Sequence, residues 1–324
     1  MTSFISKLKY AVVGAGAVGG YYGARLAAAG AEVHFLFHSE YDAVRRNGLK
    51  VDSVKGDFFI PATDIHAYND ISDMPLCDVV FVTMKTVNND LIPEMVAQIT
   101  DAHSLVVLIQ NGLMMEPQLQ DALQRIMGDN APAVAGGMAF ICSSRIEPAH
   151  IGHFDYGSVT IGLYQSENEE HTRQLKKIIS DLNHALVPAF FADNLLLKRW
   201  EKLVWNIPYN GLCVVLNAST GDLMNNPSSR SLVRDLMIEV VDAANACQVP
   251  IENSFVDKML DFTDKMAPYA PSMKLDYDHH RPMEIQTIYA NPIRFARAKS
   301  GYFMAKTDML RQQLEFIQQH CLKS

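Results

Sequence analysis

The stretch KYAVVGAGAVGGYYGARLAA, residues 9 to 28, decides the fold of the first half of this chain. After Lys9, Tyr10 to Val13 form an apolar run typical of a buried strand, and a helical pattern continues to Ala28. A glycine fingerprint joins the two, formed by Gly14, Ala15, Gly16, Ala17, Val18 and Gly19. Glycine permits a tight turn at the first of these positions, close approach of a pyrophosphate at the third, and packing of helix on strand at the sixth. This context predicts a dinucleotide-binding turn; the alternative is a tight strand-to-helix turn alone.

The end of the next predicted strand indicates which dinucleotide binds. Enzymes that use NAD usually carry an acidic residue there for the ribose hydroxyls, about 20 residues after the fingerprint. This chain has His38 and Ser39 at that place, and Glu40 follows too late to be a clear substitute. NADP is therefore favoured over NAD. Arg45 and Arg46 lie near the same corner, where they either contact a phosphate or form a solvated helix face.

Strand and helix patterns alternate from Lys9 to about Phe190, as expected for a parallel sheet with crossover helices. The clearest strands are Tyr10 to Val13, Glu32 to Phe37, Val79 to Thr83, Leu105 to Ile109 and Ala133 to Ala135. Long helical patterns then follow, at Asn194 to Leu216, Ser229 to Gln248 and Glu284 to Ser300. The predicted fold class is α/β: an N-terminal Rossmann-type doubly wound parallel sheet, residues 1–190, and an all-helical C-terminal domain, residues 191–324.

Composition narrows the class of protein. The 324 residues are 48% hydrophobic and 20% charged, which is typical of globular proteins, and the formal net charge of −8 without a basic run argues against nucleic-acid and anionic-membrane partners. Five widely spaced cysteines fit reduced thiols and a cytoplasmic location. No apolar run reaches the roughly 20 residues of a membrane helix. The apolar run from Tyr10 to Ala24 resembles a signal peptide superficially, but strand, turn and helix explain it better.

Lys202, Asn206 and Asn210 are spaced i, i+4, i+8 within a helical pattern, so their side chains share one face. Asparagines beside a lysine would be costly in an apolar core, which indicates a lined polar site. A solvent-facing stripe is the alternative. Pro208 lies in the same pattern and could kink the helix.

Several motifs together resemble the ketopantoate reductases (2-dehydropantoate 2-reductases), from Lys9 to about Ser300. The matching pieces are GAGAVGG at Gly14 to Gly20, VTMKT at Val82 to Thr86, QNG at Gln110 to Gly112, KLVWNIPYN at Lys202 to Asn210, and PSMKLD with RPMEI across Pro271 to Ile285. The resemblance implies a C-terminal domain like that of 6-phosphogluconate dehydrogenase and NADPH-dependent reduction of ketopantoate to pantoate, a step toward coenzyme A.

The resemblance also implies roles for individual residues. Lys202 would be the general acid, and the residues around substrate and nicotinamide would be Asn111, Asn206, Asn210, Ser272 and Glu284. Lys85 would lie beside the cofactor, and no metal is required. An ammonium group suits this reaction because hydride transfer to a 2-oxo acid builds negative charge on the keto oxygen.

Each of these residues also has a purely structural explanation. Glu284 could be a first-turn residue that interacts with a helix dipole, and Ser272 could cap a helix. Asn111 could be a turn residue before Gly112, and Lys85 could be a surface lysine.

Three departures from the family bear on specificity. The family usually has arginine in place of His38 and often asparagine in place of Thr220, and the segment Tyr277 to Arg281 differs from well-known members. His279 and His280 in that segment lack a third ligand at plausible spacing, which favours solvated loop residues over a metal site.

The sequence therefore predicts an NADP-dependent oxidoreductase acting on a small 2-oxo acid. Reduction of another branched 2-oxo acid is one alternative, and a non-catalytic NADP-binding sensor is a second, although a sensor needs only the nucleotide half. The long C-terminal helices suit a homodimer.

Overall fold

The structure is a computed structural model that describes residues 5–165 and 169–321, with the side chain of Cys321 outside the description. The chain divides into two compact units. The first unit runs to Gln110 and resumes at Met115–Leu195, and the second consists of Asn111–Met114 and the chain from Leu196 onward. The short segment Asn111–Met114 thus belongs to the helical unit although the residues on both sides of it, Gln110 and Met115, belong to the first.

The first unit is a sheet with helices packed on it. Its strands are β1 Lys9–Val13, β2 Glu32–Leu36, β3 Leu49–Ser53, β4 Phe58–Ile60, β5 His66–Tyr68, β6 Val79–Val82, β7 Leu105–Ile109, β8 Ala133–Glu147, β9 His150–Leu163 and β10 Ala189–Phe191. Its helices are α1 Ala17–Ala28, α2 Tyr41–Asn47, α3 Ile92–Ala97, α4 Met115–Met127 and α5 Glu169–His184, with 3₁₀ turns at Ile71–Asp73, Thr86–Leu91 and Gly128–Asn130.

Six parallel strands in the order β5-β2-β1-β6-β7-β8 form the Rossmann-type part of this sheet. Tyr10 and Val12 face one hydrophobic core, whereas Ala11 and Val13 face another on the opposite side. Strands covered on both faces have no polar alternation, which is why continuous apolar runs predicted them. The predicted fold class is confirmed.

The sheet is mixed rather than wholly parallel. β9 pairs antiparallel with β8, and β3 pairs parallel with β9 and antiparallel with β4. The sequence indicated only Ala133 to Ala135 of the long strand β8. Its later residues are poorly recognised as a strand, because Gly136 and Gly137 have low strand propensity and residues 145–148 are exposed.

The second unit is helical. Its helices are α6 Leu195–Val215, α7 Thr220–Asn225, α8 Pro227–Ala246, α9 Ser254–Asp264, α10 Ser272–Asp278, α11 Asn291–Ser300 and α12 Ala305–Cys321. A π-helical turn, Gln286–Ala290, leads directly into α11. Pro208 lies inside α6 without ending it. Trp200, Tyr209 and Tyr289 are fully buried and anchor the core of this unit.

No helix in the described ranges is long and apolar enough to cross a membrane. Four cysteines, Cys77, Cys142, Cys213 and Cys247, are free thiols, and the side chain of the fifth, Cys321, lies outside the described residues.

Candidate functional site

The glycine turn between β1 and α1 can form only because side chains are missing from it. Gly14 has a φ of 94°, and a Cβ atom there would lie 2.7 Å from the backbone nitrogen of Met84. A Cβ atom on Gly19 would collide with the Oγ1 atom of Thr83. Glycine is therefore required at both positions, once for backbone conformation and close approach and once for helix-on-strand packing.

Gly16 differs from its two neighbours in the fingerprint. It occupies the N-cap of α1, and within the described ranges a Cβ there would come no nearer to another residue's atoms than 4.0 Å, from the Gly14 carbonyl oxygen. The space above the turn is thus open, and Gly16 has no side chain with which to cap the helix. An open N-terminus with first-turn N–H groups fits the pyrophosphate of a dinucleotide.

The ends of the neighbouring strands brace this turn. The Thr83 hydroxyl donates a hydrogen bond to the Gly14 carbonyl oxygen at 2.7 Å. The Gln110 amide donates to the Met84 carbonyl oxygen and to the Asn89 Oδ1 atom, each at 2.8 Å. Lys85 follows Met84 and is exposed at the start of the 3₁₀ turn. The turn and these strand ends form one face of the first unit.

The corner after β2 holds the residues expected to meet the adenosine ribose. His38 and Ser39 are exposed, as are Arg45 and Arg46 in the last turn of α2. Glu40 is buried and forms an ion pair with Arg145 of β8. The one acidic side chain in the stretch 38–41 is therefore engaged by an arginine.

In the second unit, α6 runs without a break through Lys202, Asn206 and Asn210. Their spacing places the three side chains on one face of that helix. Asn206 is 3% exposed, Asn210 is 2% exposed, and Lys202 is half-buried. A polar face of this kind inside a helical core must be satisfied by other polar groups or by a ligand.

Hydrogen bonds connect this face to two distant segments. The Asn206 amide donates to the Asn111 Oδ1 atom at 3.4 Å, and the Asn210 Oδ1 atom accepts from the backbone N–H of Met273 at 3.1 Å. The second bond brings the first residue of α10, Ser272, to the same region. Among the described residues each of these two amides makes this one side-chain hydrogen bond, so each retains unused donor or acceptor capacity.

The segment Asn111–Met114 is fastened to the π-helical turn. Gly112 has a φ of 112°, and a Cβ there would lie 2.5 Å from the Thr287 carbonyl oxygen. The Leu113 N–H donates to that oxygen at 3.0 Å, and the Asn291 amide donates to the Leu113 carbonyl oxygen at 2.7 Å. This packing holds the position of Asn111 relative to the helix start.

Glu284 lies two residues before the π-helical turn Gln286–Ala290 and is only 3% exposed. Its carbonyl oxygen accepts a hydrogen bond from the Ile288 N–H at 3.2 Å. The Tyr289 hydroxyl, one turn later, donates to the Ile207 carbonyl oxygen of α6 at 2.9 Å. The segment that carries Glu284 is therefore bonded both to α6 and, through Thr287, to the segment Asn111–Met114.

Two other acidic groups in this core are poor proton donors. Burial raises the pKa of the Tyr209 hydroxyl and of the Cys213 thiol to about 12 each. Both groups thus hold their protons tightly near neutral pH. Lys202 is the cationic side chain on the polar face of α6, with Asn206 one helical turn away.

The structure also shows where Ser272, Thr220 and the two histidines after α10 lie. Pro271, not Ser272, takes the N-cap position of α10, so Ser272 does not cap that helix. The Thr220 hydroxyl is 3.2 Å from the Tyr269 N–H, from which it accepts, and is turned toward that backbone. His279 and His280 are exposed at the end of α10. The described residues contain no group of three or more His, Cys, Asp or Glu arranged to hold a metal ion.

Comparison with known proteins identifies the family. Residues 10–166 match the family described as "Ketopantoate reductase PanE/ApbA", and residues 194–318 match "Ketopantoate reductase PanE/ApbA C terminal". A 2-dehydropantoate 2-reductase from Nostoc sp. is 42% identical over 97% of this chain and 96% of its own length. This chain belongs to the ketopantoate reductase family. It is accordingly an oxidoreductase.

Solved structures agree with this assignment. A crystal structure of 2-dehydropantoate 2-reductase from Geobacter metallireducens has a TM-score of 0.88 and 37% identity, and the match covers 95% of this chain and 99% of that one. A structure of D-mandelate dehydrogenase with NADH and anilino(oxo)acetate has a TM-score of 0.83 at 19% identity, covering 97% and 99% of the two chains. The latter likeness shows a shared fold.

Three features of the glycine turn, of the corner after β2 and of the polar face of α6 were not predicted from the sequence. The Glu40–Arg145 ion pair joins residues 105 positions apart, and no local pattern signals it. The brace from Thr83 to Gly14 lies within the quoted VTMKT motif but depends on strand pairing. The role of Asn291 could have been suspected only from its place in an apolar helix face.

Proposed function

We propose that this member of the ketopantoate reductase family catalyses the NADPH-dependent reduction of ketopantoate to pantoate. The observation that carries the proposal is the polar face of α6, where Lys202 stands one turn from the buried amide of Asn206, with Asn210 a further turn along. A buried amide pair beside an ammonium group suits a small anion that carries a carbonyl group.

Lys202 is proposed as the proton donor. A bound reduced nicotinamide would supply the hydride that C2 of the 2-oxo acid receives. As the keto oxygen gains negative charge, the ammonium group of Lys202 stabilises it and transfers a proton to it. Lys202 then regains its proton from solvent, so the net reaction consumes one proton and one hydride per substrate molecule.

The neighbouring side chains are proposed to orient the substrate. Asn206 and Asn210 offer neutral hydrogen bonds through the unused halves of their amides, and Ser272 offers a hydroxyl at the start of α10. Asn111, held by its bond to Asn206, is proposed to contact substrate and nicotinamide. Glu284 is proposed to orient Lys202 or to accept a hydrogen bond from a substrate hydroxyl.

The first unit is proposed to bind the cofactor. The open space at Gly16 suits the pyrophosphate, backbone N–H groups of Ala17 and Val18 lie in the first turn of α1, and exposed Lys85 supplies positive charge. NADP is favoured over NAD because His38 stands where an acid would be expected and Glu40 is already paired with Arg145. The cytoplasmic location and the homodimer stay predictions.

Reduction of a different branched 2-oxo acid is the second candidate. The Thr220 hydroxyl bonds to the backbone of Tyr269, whereas an asparagine at this position often lines the substrate pocket in the family. A shorter side chain turned toward the backbone would change the space available to the substrate. The chemistry of Lys202 would be the same for either acid.

A substrate panel tests the proposal. The kcat/KM for ketopantoate and for several other branched 2-oxo acids is measured with NADPH and then with NADH. We expect the highest kcat/KM for ketopantoate with NADPH. A higher value for another acid would replace the substrate but retain the mechanism, and cofactor binding without oxidation by any acid would contradict the proposed reaction.

A further inference from the structure

Glu40 occupies an unusual position for a buried acid. It is the N-cap residue of α2, four residues past the end of β2, and its carbonyl oxygen accepts from the Val44 N–H at 2.9 Å. Its side chain does not cap α2. Instead the carboxylate, with only 7% of the side chain exposed, pairs with the Arg145 guanidinium. A buried carboxylate needs such a partner, since an unpaired one would be costly.

This pairing removes the feature by which a strand-end acid recognises NAD. In Rossmann-type sheets the acid after the second strand accepts hydrogen bonds from the ribose hydroxyls. The Glu40 carboxylate is turned inward and already accepts from a cation, so little of its surface faces solvent. The corner after β2 therefore lacks a free acid at residues 38–41.

Arg145 contributes the opposite property to the same corner. Its side chain is 45% exposed, and among the described residues its hydrogen bond to Glu40 uses only the Nη1 atom. The Nη2 and Nε groups remain as donors, and a guanidinium can bind a phosphate through two parallel hydrogen bonds. Glu40 fixes one edge of the fork, which reduces the conformational entropy lost when a ligand binds the other edge.

Arg45 and Arg46 lie farther from the start of α2 than the guanidinium of Arg145. They lie in the last turn of α2, and Arg45 follows Glu40 by five residues, or about 7.5 Å along a helix axis. Arg145 reaches the start of α2 directly, as its bond to Glu40 shows.

We propose that Arg145 binds the 2′-phosphate of NADP and thereby sets the cofactor preference of this chain, with Glu40 as the positioning residue that holds its guanidinium. The inference rests on the proposed function for the identity of the cofactor. It assigns to a residue of the β8–β9 hairpin the phosphate contact that the family usually makes through an arginine at the position of His38.

The test is a direct titration of the full-length protein with NADP⁺ and with NAD⁺ by calorimetry, repeated with adenosine 2′,5′-bisphosphate. For Arg145→Ala we expect NADP⁺ to bind about 10- to 100-fold more weakly, since a hydrogen-bonded charge contact is lost, and NAD⁺ to change by less than about threefold. Arg145→Gln retains a donor to Glu40, should the alanine variant fold poorly, and should lose the same selectivity. Glu40→Gln, which retains an acceptor, should weaken NADP⁺ binding by less than either.

Arg234→Ala is the matched control, because Arg234 forms a similar half-exposed ion pair, with Asp257, in the second unit. Its affinities should equal those of the wild type. Equal loss of NADP⁺ and NAD⁺ affinity in Arg145→Gln, or loss of neither, would overturn the inference. Turnover of ketopantoate by the wild type in that case would leave the proposed function standing. A selective loss of NADP⁺ affinity in Arg145→Gln would uphold the inference. If the wild type at the same time turned over none of the 2-oxo acids, the proposed function would be contradicted.

Discussion

The glycine turn of the first unit and the polar face of the second unit are built on opposite principles. Six consecutive residues form the turn, and what shapes it is the lack of side chains at Gly14, Gly16 and Gly19. The polar face draws side chains from segments as far apart as Asn111 and Asn206. A change in the turn should therefore act through space and binding, whereas a change on the polar face should act through charge and turnover.

The largest expected effect is that of Lys202→Ala. Removal of the proposed proton donor should lower kcat by about 100-fold or more while the NADPH dissociation constant stays within about twofold. Steady-state kinetics and fluorescence titration of NADPH measure the two quantities. Lys306→Ala removes a half-exposed lysine of the same unit that pairs with Asp235, and should turn over normally. Near-normal kcat in Lys202→Ala would remove Lys202 from the mechanism.

Two alanine substitutions separate space from conformation in the glycine turn. Gly16→Ala should keep the free energy of unfolding within about 1 kcal/mol, because the N-cap backbone is extended and its surroundings are open, yet weaken NADP⁺ binding about 10-fold or more. Gly14→Ala should destabilise the protein by at least about 2 kcal/mol, since its φ is positive and Met84 is too close. Chemical denaturation and calorimetry report both effects. Unchanged NADP⁺ affinity in Gly16→Ala would mean that the open space is not the pyrophosphate site.

Two asparagines of the second unit provide a smaller and matched comparison. Asn206→Ala should lower kcat/KM about 10-fold, because the amide is proposed to form a hydrogen bond to the substrate. The Asn245 amide donates to the Ile251 carbonyl oxygen and accepts from the Ile251 N–H. Asn245→Ala should therefore lower the free energy of unfolding by about 1 kcal/mol and leave kcat/KM unchanged. The reverse pattern would show that the Asn206 amide is structural.

The smallest expected effect is a loss of stability at mildly acidic pH that originates in the first unit. Burial lowers the pKa of His34 and His153, so the folded chain favours their neutral forms. Their contribution to stability is present above the ordinary histidine pKa of 6.5 and is lost as pH falls toward the lowered values, because the unfolded chain takes up the protons first. Thermal unfolding between neutral and mildly acidic pH should show this decrease, and His153→Asn should show less of it. If stability decreased equally in the wild type and in His153→Asn, His153 would not contribute to the pH dependence.

Local patterns predicted those parts of the fold that local physics determines. The β1–α1 turn and strands β6 and β7 were recognised because apolar runs and glycines act over a few residues, and α6 was recognised from its helical period. Strand β10 was not, since Ala189–Phe191 is only three residues long and its partners, β9 and the Asn183 side chain, are set by tertiary packing. Strand β3 alternates buried Leu49 and Val51 with exposed Lys50, a pattern too short to stand out.

The same distinction applies to the two candidate sites. Spacing alone placed Lys202, Asn206 and Asn210 on one helix face, and α6 has that geometry. Which segments meet that face could not be predicted, because the contacts of Asn111 and Met273 with it depend on the tertiary packing of the second unit. The pairing of Glu40 with Arg145 is equally non-local.

Reduction of ketopantoate with NADPH is the activity proposed for this chain. Its most direct test mixes the wild-type protein with both compounds and measures, in the same reaction, NADPH loss by absorbance and pantoate formed by mass spectrometry. We expect rapid turnover, with one pantoate formed per NADPH consumed. NADPH that binds but is not consumed, or is consumed without formation of pantoate, would contradict it.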